Sequence, residues 1–338
     1  MILLLCSLAA LAAPLPYGVP SDDPYADGYP SAAERELHLW TNAVRVDPGA
    51  FEGDYPCGMG SFTDNESSPH DPLFLDMGLA EAARYHSQDM NDSGNFSHDS
   101  SDGTSFGERV GRYYTDSGMI GENIAWNYPD PWSTVFEGWM CSDGHRANIM
   151  TDYLELGTGV VNAYYTQDFG GGAIDTDSPI AMGAHTPVDA LSDADFLADW
   201  LDDDAPASIE VVIDGTAVPL LLRYGAADRG VYGASVKLEP LDCHRYRFLW
   251  EDAAGDAGAF PEAGSYTWGT ACDDAIGWVE DENGGSITLP SGPDGDDTHP
   301  KLDDPRLVGC SSSSSSPAPA AALIGGMLLL PLARRRRS

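Results

Sequence analysis

Between Ser31 and Asp47 the apolar residues return every three or four positions, so Ala33, Leu37, Trp40 and Val44 share one face of a helix. Ser31 with Glu34 makes a capping box at its start, and Asp47-Pro48-Gly49 stops it. A second run sets Leu79, Ala82, Ala83, His86 and Met90 on one helical face. His86 is therefore on the apolar side and reads as a core histidine. Asp130-Pro131 opens a third helix, an acidic cap with proline in the first turn, whose buried stripe is Trp132, Val135 and Trp139. Two short β-rich runs follow, LGTGVVN at 156–162 and AYYTQDFG at 163–170. Helices before and between strands predict an α+β layered domain over residues 31–175.

Beyond residue 179 the pattern changes to alternation. IEVVID at 209–214, VPLLLRY at 218–224, VYGASVKL at 231–238 and YRFLW at 246–250 are β runs parted by DGT, GAADRG and DAAGDAG, and SYTWG and IGWVE add two more. Six strands at short intervals predict an all-β sandwich over residues 179–285. DADFLADWLDDDAP, at 193–206, reads as solvated acidic surface ahead of the first strand, with ligand spacing that matches no EF-hand loop. Trp250 and Trp268 read as core aromatics.

The two ends differ from the body. MILLLCSLAALAA, residues 1–13, is an apolar run closing on small residues, as an export signal does, with residues 14–30 a linker behind it. SGPDGDDTHPKLDDP, within residues 286–309, is a linker by composition. From Cys310 to residue 338 come a serine spacer, a mostly apolar stretch too short for a comfortable span, and four arginines, an order that holds a chain at a membrane for processing. This tail resembles the C-terminal sorting signals of myxobacterial surface proteins, and the resemblance implies Cys310 as the processing and anchoring site.

Charge narrows the partners. Asp and Glu number 54 against 17 Lys and Arg, a net charge of −37, so nucleic acid is excluded as a partner and a membrane is met only through the C-terminal anchor. Cysteine use fits an oxidising compartment: Cys57 and Cys141 fall in the first half, Cys243 and Cys272 in the second, and one disulfide per domain is the simplest pairing. No C-x-x-C spacing suggests a cysteine-held metal.

Candidate chemistry lies in three short runs, FSHDSSDG, GEN and GHRANIM, which carry His98, Glu122 and His145. Two imidazoles and a carboxylate are the usual ligands of zinc or another divalent cation with one position open to water, or the makings of an acid/base site. YHSQDM, FSHDSSDG, GENIAW, GWMCSDGHRANIM and YYTQDFG, in this order, resemble the CAP superfamily of cysteine-rich secretory proteins, antigen 5 and plant pathogenesis-related proteins, in its bacterial branch. That resemblance implies a three-layer α-β-α sandwich with a cleft. His98 and Glu122 match the family's first histidine and first glutamate; Ser142 stands near the second glutamate and Tyr164 where the last histidine falls, leaving His145 as the replacement imidazole and Tyr164 as a ligand-binding position. DAPASIEVVIDG, YRFLWEDAAG and FPEAGSYTWG resemble immunoglobulin-like modules of exported bacterial proteins. The expected function is a secreted, surface-anchored protein whose cleft takes an extracellular small molecule, lipid, peptide or divalent metal. A metal-assisted extracellular hydrolase or peptidase, with His98, Glu122 and His145 catalytic, and a purely adhesive protein on a non-catalytic scaffold are the alternatives.

Overall fold

Helix α1 (Ala32–Val46) is built as its sequence predicts: Ser31 Oγ accepts from the Glu34 N–H at 3.3 Å, Glu34 Oε2 accepts from the Ser31 N–H at 2.8 Å, and Asp47 caps the far end. Leu37, Trp40 and Val44 of the predicted stripe are buried and Ala33 is half-buried, yet every other residue from Glu34 to Val46 is buried too. A helix apolar on one side and buried all round must have partners for its polar side too. The computed structural model in which this is seen describes residues 30–272 apart from 116, 117, 175, 188–192, 263 and 271. The expected leader, the IGWVE run, the acidic linker and the tail with Cys310 lie outside the described residues.

On one side of α1 lies a sheet in the order β1-β3-β4-β2: β1 (Phe74–Leu75) runs parallel to β3 (Glu155–Val161), and β4 (Tyr164–Gly170) is antiparallel to both β3 and β2 (Ile120–Trp126). Helix α2 (Met77–Ser93) covers the opposite face. A Cβ on Gly157 would come within 2.0 Å of the Leu79 and Ala80 backbone, and one on Gly159 within 2.3 Å of Ala83, so this close approach requires glycine. Thr158, between them, points the other way and donates to Glu34 O at 2.9 Å. The layers are thus α2, sheet and α1. Three short helices, α3 (Phe106–Val110), α4 (Pro131–Ser133) and α5 (Asp143–Ile149), complete this half, and α4 runs on into a π-helical turn, Thr134–Trp139. Asp130 caps α4 by accepting from the Ser133 N–H at 2.7 Å, and Val135 and Trp139 are buried as predicted.

On its other side α1 meets a second sheet, β5-β6-β10-β9, formed by β5 (Ile180–Thr186), β6 (Asp193–Leu201), β10 (Arg229–Lys237) and β9 (Leu221–Gly225). Behind it lies a third, β12-β11-β7-β8, formed by β12 (Ala257–Phe260), β11 (His244–Glu251), β7 (Ser208–Ile213) and β8 (Thr216–Pro219), with β13 (Tyr266–Trp268) also paired to β11. Aromatic contacts join these two sheets: Phe196 to Tyr246 at 4.8 Å and Trp200 to Trp250 at 6.3 Å between ring centroids. Trp268 is buried, as expected. One continuous apolar core runs from Leu156 and Phe169 through Leu37 and Trp40 to Phe248 and Tyr266.

Two expectations need correction. The acidic run at 193–206 is not a solvated segment before the first strand. Its first nine residues are β6, because Ala194, Phe196, Ala198 and Trp200 alternate inward while Asp193 and Asp195 face solvent, so strict period-two spacing outweighs the acidic composition. Asp199, on the same parity as the exposed aspartates, is turned against α1 and accepts from Asn42 Nδ2 at 2.6 Å. VPLLLRY is not one strand but two: at buried Leu220 the chain crosses from β8 in the third sheet to β9 in the second.

Candidate functional site

GENIAW folds as β2 because its partner β4 lies in register beside it, pairing Glu122 with Asp168 and Trp126 with Tyr164. By strand alternation Glu122 and Asp168 point to the α2 side of the sheet. The loop after α2 begins at Gly94, which takes the left-handed conformation that ends that helix. It brings His98 over Glu122, with His98 Nδ1 2.7 Å from Glu122 Oε1. Arg109, fully buried on α3, bonds Glu122 Oε2 and also donates to His98 O at 3.0 Å and Ser100 Oγ at 3.2 Å. Both oxygens of Glu122 are therefore engaged.

His145 sits on α5, which Asn123 ties to the back of β2 by donating to His145 O at 3.1 Å. Its ring is buried, and neither of its nitrogens, nor Nε2 of His98, has a hydrogen-bond partner among the described residues. Desolvation lowers the His145 pKa to about 4, and the neighbouring His98 pushes in the same direction. It is neutral at ordinary pH, with both its N–H and its lone-pair nitrogen unclaimed among the described residues. His86 is buried on α2 as a core histidine should be, its Nε2 2.9 Å from Ser97 O and 3.9 Å from Glu122 Oε2, and burial lowers its pKa to about 4. Burial pushes Glu122 up, but the charge of Arg109, then the hydrogen bond from His98, outweigh it and hold this carboxyl below the usual range. Asp168 is the reverse case: burial first and the Glu122 charge second raise it well above the ordinary aspartate value.

The sequence-predicted residues thus divide. His98 and Glu122 are in contact, and His145 is near enough to His98 to feel its charge. Tyr164 is four residues along the strand from Asp168, about 13 Å away at strand rise, where its ring stacks on Trp126 at 6.0 Å. Arg146 pairs with Glu66 at 3.1 Å and Asp143 at 2.8 Å, and Asn148 donates to Glu122 O at 3.1 Å, so neither side chain is directed at a ligand. Arg109 and Asp168 were not predicted. Arg109 lies in a five-residue helix whose only sequence signal is the Ser105/Glu108 capping box, and Asp168 is found only through its register opposite Glu122.

Among the described residues, no group of three or more His, Cys, Asp or Glu is arranged to hold a metal ion. The available donors are two imidazoles, with Glu122 orienting one of them through its far nitrogen, the support that metal-bound histidines ordinarily receive. The expected disulfide, Cys57–Cys141, fastens the loop after α1 to the end of the π-helical turn, and Cys243–Cys272 closes the second half. Among the described residues no helix is long and apolar enough to cross a membrane.

Residues 41–171 match the family described as CAP, the Cysteine-rich secretory protein family. The uncharacterized membrane protein YlbC of Bacillus subtilis (strain 168) is 44% identical over 140 residues, 41% of this chain and 34% of that protein. Uncharacterized protein YkwD of the same organism is 36% identical over 101 residues, 29% of this chain and 39% of its own. The chain thus spans little more than a third of the length of these relatives. Among solved structures, an extracellular protein containing a SCP domain from Bacillus anthracis str. Ames shares 38% identity over 29% of this chain and 33% of that one, with a TM-score of 0.27.

Proposed function

Starting from a CAP domain over residues 41–171, we propose that this is an exported, surface-held protein whose His98, Glu122 and His145 cleft binds a small polar ligand or a divalent cation. The observation that carries this reading is the set of buried, unclaimed ring nitrogens on His98 and His145 beside a carboxylate locked in place by Arg109. A buried polar atom without a partner costs stability, and a fold keeps such atoms where something else meets them. His98 Nε2 and the His145 ring are the groups that would hold a cation such as zinc. Bound, it would supply Lewis acidity and an activated water. Glu122 acts by holding the His98 tautomer and ring orientation, and Arg109 keeps Glu122 ionised so that it can do so.

Two disulfides and the apolar leader read from the sequence support export to an oxidising compartment. In this reading the immunoglobulin-like β half holds the cleft domain away from the surface to which the Cys310 tail fixes the chain. Binding rather than turnover is favoured, because each oxygen of Glu122 is already held, one by His98 and the other by Arg109, which suits a carboxylate that positions an imidazole.

The test is calorimetric zinc titration and metal analysis of residues 14–305, set against a His98→Ala, His145→Ala double variant. The expected result is saturable uptake by the parent and none by the variant. Equal uptake by both would remove the imidazoles from the site, and no uptake by the parent would leave a metal-free ligand as the only form of this proposal.

A further inference from the structure

The cleft side of the first sheet has a second feature, at the opposite end from Glu122. Strand β2 is buried from Gly121 to Ala125 and then ends in Trp126, which is 39% exposed. Its ring is stacked nearly parallel with that of Tyr164, at 20° and 6.0 Å between centroids, so Tyr164 backs an indole that remains well exposed. Both belong to the face on which Glu122 and Asp168 lie, and β2 is the outer strand of the sheet. The chain turns tightly on either side of the pair, through Asn127 at φ 68° and Asn162 at φ 52°. The Asn127 N–H donates to Ala163 O at 2.9 Å, which sets the two asparagine turns side by side, and Asn162 Nδ2 donates to Asn91 Oδ1 at 2.9 Å. The two asparagine turns therefore lie beside the exposed indole.

From this we infer that Trp126 and Tyr164 form a saccharide-stacking subsite for a neutral sugar ring. A pyranose presents a face of C–H bonds and a rim of hydroxyls. The first packs on an aromatic plane, and the second pairs with groups that both donate and accept, as amides do. Asn127 and Asn162 supply that chemistry without formal charge, Asn91 being taken up by Asn162 and Asp92. A net charge of −37 sets the rest of the molecule against anionic polymers and leaves neutral glycans as the class that can approach. The platform lies about 13 Å along the strand from Glu122, a reach of two to three sugar units. It stands whether or not the imidazoles bind anything.

The competing explanation is a cross-strand aromatic pair that only stabilises the sheet end. Isothermal calorimetry of the full chain with cellohexaose and with chitohexaose, both neutral, separates the two. Saturable binding of either probe is expected, weakened about tenfold in Trp126→Ala and in Tyr164→Ala, the worth of one stacked ring. Tyr164→Phe keeps the ring and should bind as the parent does, which guards against loss of binding through misfolding. His98→Ala should also bind as the parent does, so failure of the imidazole reading leaves this one intact. Absence of binding to both probes, or equal binding by Trp126→Ala and the parent, overturns the subsite; a lowered melting temperature in Trp126→Ala with no probe bound by the parent assigns the pair to the sheet alone.

Discussion

The two halves of this chain bury different things. Residues 31–172 place Glu34, Arg45, Arg84, His86, Arg109, Glu122, Arg146 and Asp168 out of solvent, most of them in ion pairs or hydrogen bonds to backbone carbonyls. Residues 180–268 bury mainly apolar side chains, among them Ile180, Met182, Phe196, Trp200, Val211, Tyr246, Phe248 and Trp268, with fewer charged groups, such as Asp199 and Arg245. Replacing a buried charge network by apolar packing is often neutral or stabilising, so such a network is a poor device for stability alone. The second half, with few buried charges, shows what this chain does when packing dominates. The richer set of buried charges lies in the half that carries the proposed site.

The halves are nonetheless not separable, since α1 has no solvent face and belongs to both cores. Asn42 bonds Asp199, Thr186 bonds Glu36, and the Arg35 guanidinium lies 3.9 Å from the centre of the Tyr266 ring. The largest expected effect is therefore that of cutting the chain after residue 178. The remaining piece exposes one whole side of α1 and removes the contacts that Asp199 and Thr186 make with Asn42 and Glu36, and it should show no cooperative thermal transition by circular dichroism. A cooperative melt within a few degrees of the intact chain would make the β half a dispensable attachment and break the shared-core view.

How much of this was legible in the sequence follows from what kind of signal each part leaves. The capping boxes, the stripes of α1 and α2 and the strands on either side of Asn162 are local, and period and cap residues announce them. The second face of α1 is not: Glu36 and Asn42 look like a solvated side until β5 and β6 arrive from about 150 residues away, and Arg45 does so until the carbonyls of Asp71, Ile149 and Thr151 meet it. For the same reason Asp199 passed as surface acid. In the site, His98, Glu122 and His145 were found by motif, and the first two do meet. Arg109 and Asp168 were missed because nothing in sequence distance links them to Glu122. Their proximity is a product of strand register and of a loop that folds back over the sheet.

A sharper comparison comes from the disulfides, one in each half. Cys57–Cys141 closes a separation of 84 residues and Cys243–Cys272 one of 29. In the chain-entropy account the first bond contributes about 4.6 kcal/mol and the second about 3.6 kcal/mol. Double Ser variants of each, compared by urea unfolding, should differ by about 1 kcal/mol, with the first-half variant the weaker. A reversed order would mean that the second half depends more on its covalent tie than its aromatic packing implies.

The smallest effect tests where acid acts. His38, His86 and His145 all lie in the first half, and burial lowers the pKa of each to about 4. In the unfolded chain these groups bind a proton near pH 6.5, so below that pH the unfolded state holds more protons than the folded one. Stability is then full above pH 6.5 and is lost as the pH falls toward 4. Asp168 and Asp199, raised by burial, work the other way by favouring the fold as acid neutralises them, which softens the total but not the share of any one histidine. His38 isolates that share. It lies on α1 away from the cleft loop, its Nε2 is 2.7 Å from Leu73 O, and Asn42 Nδ2 also donates to that carbonyl at 3.0 Å, so the acceptor keeps a partner when the ring is removed. Between pH 7 and pH 6 one such histidine contributes about 0.7 kcal/mol of acid destabilisation. His38→Gln should lower the change in urea unfolding free energy over that interval by this amount. An unchanged pH dependence would mean that the ring is already protonated in the fold, and that the first half tolerates buried charge even on the helix it shares with the second.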